Sequence, residues 1–182
     1  MGDKNILIVS GSPRKGNTEF VLNKIFESLD TEKELVLLRE KNIEHCSGCL
    51  YCDKNKKCFI KDDMQEIYRK MLKADVLILG TPNYFDNVSG LMKDFMDRTN
   101  PFYETGLLKG KKVITIVVGG GDVENSKKVG EQALRHFVGG GHNMEMVGNY
   151  YFQALHADEL ENNLETKKEL DGIVEDIKEK IY

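Results

Sequence analysis

The cysteines of this chain are close together in a short segment, and their types and spacing suggest redox or metal chemistry. The chain contains four of them, in the pattern Cys-x2-Cys-x2-Cys-x5-Cys, at Cys46, Cys49, Cys52 and Cys58. Thiolate runs this compact hold iron–sulfur clusters in ferredoxins, whereas the usual zinc pattern separates two cysteine pairs by a longer spacer. The run lacks the proline that follows the last ferredoxin cysteine. It favours a cubane-type cluster, with bound zinc and free thiols as the alternatives.

A second candidate site is the loop from Ser10 to Thr18, in which Gly11 and Gly16 have the spacing of the triphosphate-binding loop GxxxxGK[ST]. Asn17 replaces the lysine of that motif, which argues against hydrolysis of ATP or GTP. Backbone amides and hydroxyls at a helix N-terminus still suit a single phosphate, and an arginine can add a bidentate contact. The alternative is an ordinary turn with Asn17 or Thr18 as the helix N-cap. The predicted phosphate contacts are Ser10, Ser12, Arg14, Gly16, Asn17 and Thr18.

Two further loops follow the third and fourth predicted strands. In the first, Tyr84 and Phe85 could pack against a planar ring, and Asn87 could hydrogen-bond to its rim. In the second, a glycine triplet lets the backbone approach the polar edge of a ring. The alternatives are aromatic residues that close the core and a plain flexible connection. The predicted contacts in the two loops are Pro82, Asn83, Tyr84, Phe85, Asn87, Gly119, Gly120 and Gly121.

These three loops are expected to meet, because ligands of open parallel sheets bind beyond the carboxyl ends of the strands. One loop suits a monophosphate, the second offers aromatic rings and the third offers bare backbone. A phosphorylated planar ring fits all three, and FMN is the natural candidate. The other glycine triplet, residues 139–141, follows a helix and precedes a strand. We therefore place it at the opposite edge, as a helix C-cap and turn.

Apolar runs alternate with helical patterns along the whole chain, which indicates an α/β fold. The alternation predicts one domain spanning residues 1–182, with a parallel sheet covered on both faces and a cysteine-rich loop at 44–61. Strands are expected at 6–9, 35–38, 76–79, 113–118 and 144–151. Helices are expected around 20–29, 64–72, 91–96, 129–138 and 164–181.

Composition narrows the function classes further. The formal net charge of −4 gives no basic field of the kind that attracts nucleic acid. No apolar run approaches the ~20 residues of a membrane span, and the N-terminus lacks signal-peptide architecture. We expect a cytoplasmic protein with neither a nucleic-acid nor a membrane partner. Clustered thiols in that compartment more often bind metal or do redox work than form disulfides.

Four segments together resemble a known family: residues 11–18, 46–52, 61–64 and 81–98. They are similar to the NADPH-dependent FMN reductases and, within these, to the iron–sulfur flavoproteins. The resemblance implies a flavodoxin-like three-layer sandwich with strand order 2-1-3-4-5, bound FMN, and a homodimer or homotetramer. It also implies a [4Fe–4S] cluster on the four cysteines. Two departures are Asn83, where an apolar residue is common, and the sequence Asp-Val-Glu-Asn after the glycine triplet.

The sequence thus predicts an FMN-dependent redox protein that passes electrons between a [4Fe–4S] cluster, the flavin and an external donor or acceptor. That partner is NAD(P)H, another small molecule or a ferredoxin-like protein. The main alternative is an NAD(P)H-dependent FMN or quinone reductase without a cluster, and a more distant one is a zinc-stabilised nucleotide-binding module. No side chain stands out as a general acid or base, so no catalytic residue is predicted.

Overall fold

Five parallel strands form the central sheet of the computed structural model, which describes residues 4–182. Their order across the sheet is β2-β1-β3-β4-β5, and every neighbouring pair runs parallel. This confirms the predicted flavodoxin-like order. The strands are β1 (Ile6–Ser10), β2 (Lys33–Leu37), β3 (Val76–Pro82), β4 (Lys112–Gly119) and β5 (Glu145–Gln153).

Helices connect the strands and cover both faces of the sheet. They are α1 (Asn17–Ser28), α2 (Tyr51–Asn55), α3 (Met64–Lys73), α4 (Gly90–Arg98), α5 (Val123–Lys128), α6 (Arg135–Gly139), α7 (Glu159–Asn162) and α8 (Leu164–Ile181). Short 3-10 turns follow β2 and α4, at Leu38–Glu40 and Asn100–Phe102. The short helices α2 and α7 were not predicted, and α2 lies inside the cysteine-rich loop.

The helix expected at 129–138 is longer and less regular than its pattern suggested. It begins with α5, passes through a π-helical segment, Val129–Leu134, and continues as α6. Gly130 lies in the π segment, where a Cβ atom would come within 2.8 Å of the Tyr151 ring. The wide turn therefore lies where Gly130 approaches Tyr151 of β5, a contact that helical periodicity does not reveal.

The core consists of two apolar layers, one on each face of the sheet. Alternate residues of β1 divide between them: Ile6 and Ile8 pack with α1 and α8, whereas Leu7 and Val9 pack on the face that carries α3 and α4. Such two-sided burial explains why the central strands β1 and β3 begin as unbroken apolar runs, whereas the edge strands β2 and β5 do not. Each fully buried aliphatic side chain contributes about 1.5–3 kcal/mol. Within residues 4–182, no helix is both long and apolar enough to cross a membrane.

Candidate functional site

The loops after β1, β3 and β4 meet at the carboxyl edge of the sheet, as the sequence predicted. They enclose a cavity of about 200 Å³, referred to below as the carboxyl-edge cavity. It is lined by Ser12, Arg14, Gly16, Asn17, Thr18, Pro82, Asn83, Tyr84, Val118, Gly120, Ala154 and Leu155. Residues from the end of β5 thus complete a pocket that the sequence assigned to three loops.

Hydrogen bonds fix the shape of the first loop. The Ser12 hydroxyl donates to the Arg14 carbonyl oxygen at 2.7 Å, and Arg14 Nη2 donates to the Leu155 carbonyl oxygen at 3.2 Å. Asn17 Oδ1 accepts from the Leu160 amide at 3.1 Å, and its Nδ2 donates to the His156 carbonyl oxygen. The Asn17 side chain therefore holds the segment after β5, and Thr18, which is buried at the helix start, lines the cavity.

A buried polar atom without a partner lies at the wall of the carboxyl-edge cavity. The side-chain oxygen Oδ1 of Asn83 is buried, and no hydrogen-bond donor within residues 4–182 reaches it. The Asn83 backbone amide is bonded to the Val118 carbonyl oxygen at 2.7 Å, which fixes the residue between β3 and β4. An unsatisfied buried acceptor costs about 1–3 kcal/mol. A ligand with an N–H group at this wall would remove that cost.

The glycine triplet after β4 leaves room that a side chain would fill. A Cβ atom at Gly119 would lie 2.6 Å from Ser126 Oγ, and one at Gly120 would lie 2.7 Å from Leu155 Cδ1. Ser126 Oγ is itself buried and unpaired among the described residues. Of the triplet, Gly120 lines the carboxyl-edge cavity beside Asn83, whereas Gly119, Gly121 and Ser126 do not line it.

The aromatic loop after β3 forms a tight turn between Tyr84 and Asn87, whose backbones pair at 2.9 and 3.1 Å. Phe85 and Asp86 at its tip have φ values of 54° and 55°, which costs non-glycine residues about 1–2 kcal/mol each. The Phe85 ring is fully exposed and does not line the cavity. The turn thus presents an aromatic ring to the surroundings at a cost in backbone strain.

Ser89 joins the first loop to the third strand, a role that the sequence analysis missed. Its hydroxyl donates to the Gly11 carbonyl oxygen at 2.5 Å and accepts from the Met92 amide at 3.1 Å, which caps α4. Its own amide donates to Thr81 Oγ1 at 3.1 Å. A serine directly before a helical pattern is an N-cap signal, but its link to the other loop has no local signature.

A larger groove of about 750 Å³ lies beside this edge. One wall carries Cys46 and Gly48 from the cysteine-rich loop, and another carries Asp86 and Asn87 from the aromatic turn. Residues after α4 and along α6, including Tyr103 and Phe137, complete it. Asn87, predicted to contact the cofactor rim, therefore lies in this groove and not in the carboxyl-edge cavity.

The four predicted metal ligands line one small cavity of about 30 Å³, together with Arg98 and Asn100. Cys46 and Cys49 are exposed, whereas Cys52 and Cys58 are partly buried. Asn100 Nδ2 donates to Cys52 Sγ at 3.4 Å. Within residues 4–182, no group of three or more Cys, His, Asp or Glu side chains is close enough to hold a metal ion. The loop thus gathers its thiols around one space without bringing them to coordination distance.

A buried ion pair closes the base of this loop. Arg98 donates from Nη1 and Nη2 to the two carboxylate oxygens of Asp62, at 2.6 and 3.0 Å, and both side chains are 1% exposed. Glu44 joins them through its backbone: its amide donates to Asp62 at 2.8 Å and its carbonyl oxygen accepts from Arg98 at 2.6 Å. The two ends of the loop, near residues 44 and 62, are therefore held against the end of α4.

This environment changes the pKa of Asp62. Burial alone would raise the pKa of the carboxyl group, but the hydrogen bonds from Arg98 and the Glu44 amide, with the Arg98 charge, outweigh burial and hold it below its ordinary value. His45, which adjoins Cys46, forms a hydrogen bond of 2.6 Å between its Nδ1 atom and Asp94 Oδ1 on α4. This contact raises the pKa of His45.

Comparisons with known proteins agree with this geometry. A family model described as NADPH-dependent FMN reductase matches residues 4–159. An iron–sulfur flavoprotein of Archaeoglobus fulgidus is 36% identical over 138 residues, covering 73% of this chain and 71% of that protein. One from Methanocaldococcus jannaschii is 34% identical over 148 residues, covering 79% and 76%. The solved NAD(P)H:quinone oxidoreductase from Methanothermobacter marburgensis superimposes with a TM-score of 0.72 at 14% identity, covering 94% and 92%.

The two glycine triplets provide a matched pair of variants. In Gly120→Val, the added side chain would crowd Leu155, which also lines the carboxyl-edge cavity, so we expect FMN affinity to fall sharply while the unfolding free energy changes little. In Gly140→Val, a Cβ atom would lie 2.7 Å from the His136 carbonyl oxygen, so stability should fall while FMN affinity is kept. Fluorescence titration and urea unfolding measure the two effects. Equal losses of FMN affinity would show that the triplets do not lie at opposite edges.

The Arg98–Asp62 pair predicts a specific dependence of stability on pH. Asp62→Asn leaves the arginine buried without a counter-charge, and we expect a loss of about 3–5 kcal/mol at pH 7. The folded-state pKa of Asp62 lies below the unfolded value of about 3.9. The contribution of the pair is therefore complete above about pH 4 and is lost as the pH falls through the folded-state pKa. The stability difference between the two proteins should shrink over that range.

Urea unfolding at pH 7, 4 and 3 measures this difference, with Glu66→Gln as the control. Glu66 forms an exposed ion pair with Lys70 on α3, and such pairs contribute little. A variant Asp62→Asn that is as stable as the wild-type protein at pH 7 would contradict the proposed role of the pair.

Proposed function

The chain belongs to the NADPH-dependent FMN reductase family and is an NAD(P)H-dependent FMN oxidoreductase, and from this premise we propose that it moves electrons between FMN, a [4Fe–4S] cluster and an external partner. The observation that carries the flavin assignment is the carboxyl-edge cavity. In it, the start of α1, residues 82–84 after β3 and Gly120 of the glycine triplet face one space.

We assign the parts of FMN to the parts of this cavity. The phosphate would be held at the start of α1, where Thr18, Gly16 and the backbone of the first loop lie at a helix N-terminus. Arg14 also lines the cavity and adds positive charge. The unpaired Oδ1 of Asn83 and the bare backbone after β4 suit the polar edge of the ring. When bound, FMN supplies both hydride and single-electron chemistry.

The cysteine-rich loop is the proposed cluster site. Its donor set is four thiols around one cavity, which suits the ligand requirement of a cubane cluster. Two relatives that match more than two thirds of the chain carry the name iron–sulfur flavoprotein. The thiols must move closer together on binding. The irregular parts of this loop contain its residues at positive φ, including Gly48, Leu50 and Lys56.

The groove of about 750 Å³ is the proposed site of exchange with the partner. It touches both Cys46 of the cluster loop and Asn87 of the flavin loop. A molecule seated there would contact Cys46 and the turn after β3, whose Tyr84 lines the carboxyl-edge cavity. NAD(P)H, a small acceptor or a ferredoxin-like carrier are the proposed occupants, and the exposed Phe85 beside the groove suits contact with another subunit of a homodimer or homotetramer.

A second candidate function is an FMN reductase that uses NAD(P)H without a cluster. The observation in its favour is that the thiols of the described chain do not reach coordination distance of one another. In that case the loop would be structural, and only the flavin would carry electrons.

The phosphate assignment predicts a selective loss in Thr18→Val, which removes the hydroxyl and keeps the shape. A hydrogen bond to a charged group contributes about 1.5–3 kcal/mol. FMN affinity should therefore fall roughly tenfold to a hundredfold, at about 1.4 kcal/mol per factor of ten. Riboflavin, which lacks the phosphate, should bind both proteins equally. Thr166→Val on α8 is the control, and equal losses for FMN and riboflavin would refute the assignment.

Anaerobic reconstitution with iron and sulfide tests the cluster. We expect the wild-type protein to take up about four irons and four sulfides per chain. Cys52→Ser should lower this uptake sharply and leave FMN bound, because the carboxyl-edge cavity contains none of the cysteines. Ser47→Ala, a change in the same loop that removes no thiol, is the control. One tightly held zinc per chain with no iron uptake would refute the cluster and favour the second candidate.

A further inference from the structure

Arg98 is the one fully buried cation that lines the four-cysteine cavity in the described chain. It lies at the end of α4, and its two terminal nitrogens are bonded to Asp62 and to the Glu44 carbonyl oxygen. Its third nitrogen, Nε, is buried and has no acceptor within residues 4–182. The side chain is therefore held rigidly by two of its nitrogens while the third keeps an unused N–H group.

An unused donor on a buried arginine is costly. A buried polar group without a partner loses its hydrogen bonds to water and gains none in return, and the loss is greater when the group is charged. The carboxylate oxygens of Asp62 and the carbonyl oxygen of Glu44 already accept hydrogen bonds from Nη1 and Nη2, and they do not satisfy Nε. The space beside Arg98 is the cavity that the sulfur atoms of Cys46, Cys49, Cys52 and Cys58 surround. The four sulfur atoms are acceptors that line this space, together with the side-chain oxygens of Asp97 and Asn100.

We propose that Arg98 is a positioning residue for the cysteine centre: its Nε–H group donates a hydrogen bond to a sulfur atom in the cavity and raises the reduction potential of the bound cluster. The inference rests on the proposed cluster function. Hydrogen bonds to the sulfurs and nearby charge are among the factors that set cluster potentials. A donor that favours the more negative, reduced form shifts the potential upward.

The charge of Asp62 determines how strongly Arg98 changes the reduction potential of the cluster. The pair is neutral as a whole, so the arginine acts on the cavity mainly through its N–H group and the direction of its dipole. If Asp62 becomes neutral, a full positive charge remains beside the cysteines. The two partners of the pair therefore have opposite effects on the potential, which a purely structural role would not produce.

Two conservative variants separate these effects. Arg98→Lys keeps the charge and a contact with Asp62 but removes the Nε–H group. Asp62→Asn keeps the shape and leaves the positive charge unbalanced. Arg39→Lys is the control, because Arg39 pairs with Glu19 and Glu40 and does not line the cysteine cavity. Each full-length protein is reconstituted anaerobically with iron and sulfide, and its iron content and circular dichroism are recorded.

The measurement is a redox titration of the loaded cluster followed by electron paramagnetic resonance. We expect Arg98→Lys to lower the equilibrium constant for one-electron reduction about tenfold, which corresponds to 59 mV. Asp62→Asn should shift it upward, and Arg39→Lys should leave it unchanged.

Unchanged potentials in both variants, whatever their iron content, would overturn the role of Arg98 and leave the cluster assignment intact. A downward shift in Asp62→Asn would also overturn it, even if Arg98→Lys could not be loaded. Failure of the wild-type protein to take up iron would overturn both this inference and the cluster assignment.

Discussion

Arg98 and Asp62 form a buried ion pair, and the cysteine-rich loop depends on it for its position. Removing two charges from water is costly, and hydrogen bonds to other groups around the pair offset part of that cost. Here the backbone of Glu44 bonds to both partners, and Asp62 Oδ1 accepts from the Met64 amide at 3.1 Å. The same contacts that offset desolvation also fix where the loop leaves the core and where it returns.

The helix that carries Arg98 connects this loop to the flavin edge. Ser89 caps the start of α4 and binds the Gly11 carbonyl oxygen, whereas Arg98 at its end binds the base of the cysteine-rich loop. Arg98 lies nine positions after Ser89, a helical rise of about 13.5 Å. Phe95, fully buried between them, anchors the helix on the sheet. One short, rigid element thus sets the spacing of the two proposed redox sites.

The features that depend on local sequence patterns could be predicted, whereas those that depend on contacts between residues far apart in the chain could not. Unbroken apolar runs such as 76–79 belong to strands buried on both faces, so the sheet and the edge where its loops meet could be predicted from them. The pattern around Asn17 predicts a phosphate contact, and Asn17 lines the carboxyl-edge cavity, but nothing in the pattern shows that its side-chain amide is also bonded to residues 156 and 160. The Arg98–Asp62 pair joins residues 36 positions apart, and no periodicity reveals such a partner.

The central claim is that one chain holds two redox groups, one at each end of α4. A reductive titration of the anaerobically prepared protein, followed by visible absorbance, counts the electrons that each chain accepts. Two electrons reduce a flavin fully and one reduces a cubane cluster, so the account predicts about three electrons per chain. The flavin bands and the broad cluster absorbance should both bleach. An end point at about two electrons, with flavin bleaching alone in iron-replete protein, would contradict it.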